Sequence, residues 1–194
     1  MPTHYSLLLT PYLVMLIARE KRKTNIAEYI LYMWQVEDLI RAHQFNIDLI
    51  EQNLISQYSQ PEKIKYEVRD WYVNLILMMY REGIHKKGHL NMLTALIAEM
   101  TDLHIRLLIN EKESDYQELF SKAAGYLEEF RRKSTTPAAG DIETSLNALY
   151  GLLLLRLKKQ SVSRETEIAM ASFSKLLAVL SRIFLQVERG EREI

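Results

Sequence analysis

A chain of 194 residues, 48% of them hydrophobic, buries about 70% of the surface its unfolded form exposes, so one domain needs neither disulfides nor a metal to cohere. Twenty-five basic residues against twenty-five acidic ones leave no net charge, which excludes an affinity for nucleic acid that rests on bulk phosphate neutralisation. The lack of cysteine excludes a disulfide framework, thiol catalysis and thiolate metal sites.

The apolar run Leu7 to Ala18 is broken by Pro11 and closed by Arg19. It is too short to span a bilayer, and its positive charges follow it where an export signal places them first. No membrane association is expected, and the expected location is the cytoplasm. Residues 1–14 read as a non-core extension ahead of Met15; the alternative is a strap that packs Leu7 to Leu9 on the domain.

From Asn25 the chain reads as about six main helices. The first opens on Asn25 and Glu28, a capping-box spacing, and is apolar nearly all round through Ile26, Ile30, Met33, Trp34, Ile40 and Phe45; such a helix is normally central. A short continuation, Ile47 to Tyr58, follows a break near Asn46. The second helix is expected to be capped by Ser59, to face inward through Ile64, Val68, Trp71, Leu75 and Met78, and to stop at Gly83, where a left-handed residue is wanted. The third runs from about His89 to Ile109 with Leu93, Ile97, Met100, His104 and Leu107 on one stripe. The fourth opens on Ser114 and Gln117 and carries the narrow stripe of an outer helix, Tyr116, Phe120, Ala123 and Leu127. Arg131 to Gly140 is the one clear linker and a possible hinge site. The fifth is capped by Asp141, and its Thr144, Ala148 and Gly151 leave room for a neighbour to approach closely. The sixth, capped by Ser163, points Phe173, Leu176, Leu180 and Ile183 inward. No alternating strand pattern occurs, and Trp34 and Trp71 start no repeat. The expected fold is therefore an all-α, single-domain bundle over 15–190 with a central apolar first helix.

Catalytic motifs are sparse. Glu82, His85 and His89 form the nearest approach to a metal cluster, but Gly83 and Gly88 interrupt it and no second Glu-x-x-His step exists, as a di-iron bundle would require. Neither metal nor cofactor is expected. Glycine loops for phosphates and nucleophile elbows are absent. The informative residues are polar ones on apolar helices: Asp38, turned inward unless Arg41 draws it out; His104; Glu143, Asn147 and Tyr150 on successive turns of one face; and Arg156 within Leu152 to Leu157. Buried charges must be paired, so these read first as a core network, then as a ligand pocket between the first, third and fifth helices, and last as an acid/base site. Eleven tyrosines fit either a core edge or a partner-binding patch.

Asn25-Ile-Ala-Glu-Tyr-Ile-Leu-Tyr-Met-Trp-Gln-Val-Glu-Asp-Leu-Ile-Arg41, with Arg69-Asp-Trp-Tyr72, Glu82-Gly83, Gly88-His-Leu90, Thr101-Asp-Leu-His104 and Asn147-Ala-Leu-Tyr-Gly-Leu-Leu-Leu-Leu-Arg-Leu-Lys158, resembles a bacterial family known only as a domain of unknown function. The resemblance implies a soluble all-helical protein and supplies no site residue. Two function classes stay open: a non-enzymatic helical interaction module, whose partner is another protein or a second copy, and a small-ligand binder or enzyme using the polar set.

Overall fold

Helices account for all the regular structure among the described residues, which are 11–57, 61–134 and 140–194, with the side chains of 11–13 excepted, in a computed structural model. They are α1 (Pro11–Thr24), α2 (Ile26–Ala42), α3 (Ile47–Ile50), α4 (Glu62–Arg81), α5 (Asn91–Ile109), α6 (Ser114–Lys133), α7 (Asp141–Leu157) and α8 (Arg164–Glu188). A π-helical turn, Glu51–Ile55, extends α3, and a 3-10 turn, Glu111–Glu113, precedes α6. The described residues thus form eight α-helices where about six main ones were expected from the sequence.

The chain divides into two compact units, the first running to Lys23 and over Glu28–Thr94, the second comprising Thr24–Ala27 and Ala95–Ile194. The division falls inside α5 and not at 131–140, whose residues 135–139 lie outside the described set. Arg131 to Lys133 belong to the last turn of α6, so that segment is linker only after them. Leu7 to Leu9 and the expected cap Ser59 also lie outside the described residues. Val14, at the end of the expected extension, is buried within α1.

In the first unit, α2 buries Tyr29, Ile30, Tyr32, Met33, Trp34, Val36, Glu37 and Ile40. Burial on several sides explains why apolar spacing there fills more than one stripe, and Glu28, Asp38 and Ala42 mark the exposed face that remains. The helix stops at Ala42, and Gln44 and Phe45 turn left-handed (φ 56° and 60°). α4 starts at Glu62 behind Pro61 and buries Val68, Tyr72, Leu75, Ile76 and Met79. Its inner face is thus rotated from the expected one: Trp71 and Met78 are only half-buried, whereas Tyr66, Leu77 and Tyr80 are exposed. Gly83 takes the left-handed position (φ 69°) that ends α4.

In the second unit, α6, α7 and α8 pack on one another. Along α8, Met170, Phe173, Leu176, Leu177, Leu180, Ile183 and Phe184 are buried; each such side chain contributes about 1.5–3 kcal/mol when fully removed from water. α8 is long and apolar enough to cross a bilayer by length and composition, but half of its most apolar stretch is buried within the structure. Ser163 caps it as expected, its hydroxyl accepting from Thr166 N–H at 3.2 Å. The α2 start is held from α8: Ala27 N–H donates to Ser181 Oγ at 3.0 Å, a buried bond to one of the donors a helix N-terminus leaves open. Thr144 and Ala148 are buried on α7, but a Cβ at Gly151 meets nothing within 4 Å. The close approach expected at Gly151 is therefore not made, and that glycine leaves a mid-helix position open.

Candidate functional site

Each unit holds a polar cluster, and in each the sequence pattern explains the position before the chemistry does. In the first, α2 presents Trp34, Glu37 and Arg41 at steps of three and four, successive turns of one face. Glu37 is 1% exposed. One carboxylate oxygen accepts from His89 Nδ1 at 2.6 Å and the other from the buried N–H of Leu90 at 2.8 Å. Glu82 accepts from the N–H of Asn91, the first residue of α5, at 2.7 Å. Two carboxylates therefore meet the positive end of α5, where open N–H groups and the helix dipole favour negative charge.

Arg41 does the converse for the end of α4. Its guanidinium donates to the carbonyls of Ile84 (3.4 Å) and Gly88. It also donates to Asp38 at 2.9 Å and stands 4.0 Å from Glu37. Gly88 is left-handed (φ 93°), and a Cβ there would meet Ile84 at 3.3 Å, so both conformation and space call for glycine. Trp34 stacks on the His89 ring, centroids 4.2 Å apart and planes 18° apart. The result is a clasp in which one helix supplies an acid to the start of α5 and a base to the turn that follows α4.

The second cluster joins α5, α6 and α7. His104 is 2% exposed. Its Nδ1 lies 2.7 Å from the Tyr116 hydroxyl and its Nε2 lies 3.3 Å from the Asp141 carboxylate. Neutral imidazole with the proton on Nε2 satisfies both, donating to Asp141 and accepting from Tyr116. Burial lowers the His104 pKa, an effect that Asp141 partly opposes, and burial raises that of Tyr116, which keeps its proton. The same carboxylate takes Arg131, whose Nε donates to Thr144 Oγ1 at 3.3 Å; Phe120 meets the His104 ring edge-on.

Beside this cluster, a cleft of about 350 Å³ lies between α6 and α8, with Tyr116, Leu119, Val179 and Ile183 in its lining. Its lining carries the ion pairs Lys122 with Glu118 and Arg192 with Glu113, and also Asp115, Lys175 and Arg182.

The six residues singled out in the sequence are not gathered into one site. Asp38 belongs to the first unit and is half exposed (50%), drawn out by Arg41; Glu37 beside it is the buried acid. His104 is buried as expected, and its ring bonds Tyr116 and Asp141. Glu143 and Tyr150 are half-buried on α7, whereas Asn147 and Arg156 are exposed. Asp141 is no helix cap: α7 starts on it, and its carboxylate goes to His104 and Arg131. Gln117 likewise makes no reciprocal cap and instead holds carbonyls of Leu108 (3.1 Å) and Asn110 (2.9 Å). Among the described residues no group of His, Asp and Glu is placed to hold a metal ion: Glu82 caps α5, His85 packs on Tyr80 and Phe45, and His89 bonds Glu37.

Fold and clusters define an all-helical protein whose buried Glu37 and His104 each tie its own helices together. The chain belongs to the family described as a domain of unknown function (DUF4924), whose model matches residues 15–191. The motifs Trp34 to Arg41 and Gly88 to Leu90 fall on the first cluster, and Thr101 to His104 ends on the second. No curated protein and no solved structure matches the chain.

Proposed function

We propose that the protein is a non-enzymatic, cytoplasmic helical interaction module that docks through the outward face of α4. One observation carries this reading: the buried Glu37 and His104 commit their polar atoms to a helix start and to neighbouring helices, while α4 leaves Tyr66, Leu77 and Tyr80 in water on one side. Exposed large apolar side chains that share a helix face mark interaction sites.

The rival reading, a small-ligand binder, draws on the cleft lined by Tyr116, whose hydroxyl reaches His104. It is weaker because it leaves the α4 face without a role.

A photoreactive amino acid at position 77, compared with one at exposed Glu99 of α5, tests the docking reading in cells of the native host. Discrete adducts from position 77 alone are expected. Adducts equal at both positions, or absent from position 77, overturn it.

A further inference from the structure

We infer that the partner of the α4 face is a second copy of this chain, packed antiparallel across Tyr66, Val73, Leu77 and Tyr80. The inference rests on the docking reading given above and names the occupant. On a helix of 3.6 residues per turn, positions 66, 73 and 77 fall within about 40° of one another, and the stripe from 66 to 80 is about 21 Å long. It lies opposite the inner face of Val68, Tyr72, Leu75 and Met79. Tyr66 is 73% exposed, Leu77 46% and Tyr80 52%. Tyr80 is already held in place, edge-on to Phe45 at 5.1 Å and to His85 at 4.6 Å, so ordering it costs little on association.

Charge order selects the partner and its direction. Along one flank of the stripe the exposed residues run Lys63, Glu67, Asp70, Asn74 and Arg81. A two-fold interface sets the same patch of both copies against itself. In the antiparallel arrangement Glu67 and Asp70 of one copy face Arg81 of the other, twice over. A parallel two-fold would carry this flank to opposite sides of the interface in the two copies, where its charges do not meet. The flank is therefore complementary to itself in one direction, which is what a second copy requires. One helix face per copy falls below the roughly 1,200 Å² of stable interfaces, so the association is weak, with a dissociation constant on the order of 10–100 µM.

Sedimentation velocity of the full chain from about 10 µM to about 1 mM in low salt tests this. The expected result is a sedimentation coefficient that rises with concentration toward that of a dimer. Arg81→Glu alone and the pair Glu67→Arg with Asp70→Arg are each expected to weaken association at least tenfold, and an equimolar mixture of the two variants to restore it. Leu77→Glu is expected to abolish it while leaving the melting temperature unchanged. A monomer throughout, or a dimer indifferent to these changes, overturns the inference. Where a monomer in the centrifuge accompanies position-77 adducts to a different protein in cells, self-association falls and the docking reading stands; where adducts fail as well, both fall.

Discussion

Replacing Glu37 by alanine removes the acceptor for two donors at once, His89 Nδ1 and the buried Leu90 N–H. Losing one partner of a fully buried ion pair costs about 3–5 kcal/mol. His89 is 30% exposed and Arg41 14%, so water recovers part of their solvation, whereas the Leu90 N–H keeps its full penalty of about 1–3 kcal/mol. The expected loss is about 2–4 kcal/mol, or roughly 4–16 °C in a chain of this size, where 1 kcal/mol moves the midpoint by about 2–4 °C. Glu37→Gln still accepts from Leu90 and should cost about 1–2 kcal/mol, while Asp38→Asn next to it should change stability by less than about 0.5 kcal/mol. Thermal and urea unfolding of the three variants, followed by circular dichroism, gives the ranking. An Asp38→Asn cost equal to that of Glu37→Ala, or a neutral Glu37→Ala, would refute the clasp.

Burial keeps the folded pKa of His104 below its ordinary 6.5, so near that pH the unfolded chain binds a proton the folded one does not. The stability this group lends is complete above about 6.5 and is lost as pH falls through it; melting temperature should fall from pH 7 to 5, and His104→Gln, though less stable, should show a shallower decline. Gly151→Ala should raise stability by about 0.5–1 kcal/mol, because the site is open and mid-helix glycine is unfavourable; a loss on thermal unfolding would show a neighbour close to it. Ser181→Ala should cost about 1–3 kcal/mol by leaving the buried Ala27 N–H without its acceptor, with Ser181→Thr or a neutral Ser172→Ala as comparison in the same melts.

Helix content was legible because period and punctuation agree over most of the chain: Gly83 and Ser163 stand where the structure ends α4 and caps α8. What failed is instructive. On α2 the apolar residues fill more than one stripe, which hid the narrow outer face of Glu28, Gln35, Asp38 and Ala42; that spacing, like the Trp34, Glu37, Arg41 steps, separates the exposed Asp38 from the buried Glu37. On α4 only Tyr72 of the four aromatic residues is buried on the inner face, and Trp71 drew the expected stripe one residue away from it. Asp141 looked like a cap because caps and network acids share a residue type; its partners His104 and Arg131 come from two other helices, and such distant pairing leaves no local trace. His104 could be read because a histidine on an unbroken apolar stripe must find a partner in the core.

The central claim is that the buried polar residues serve the fold and that binding belongs to the outside of the molecule. Thermal shift of the wild-type chain against divalent metals and a metabolite panel tests it most directly, since a ligand at a hundred times its dissociation constant adds about 2.7 kcal/mol, several degrees here. No compound is expected to raise the melting temperature. A hit that disappears in His89→Gln or His104→Gln, in variants that remain folded, would contradict the claim and make that cluster a binding site.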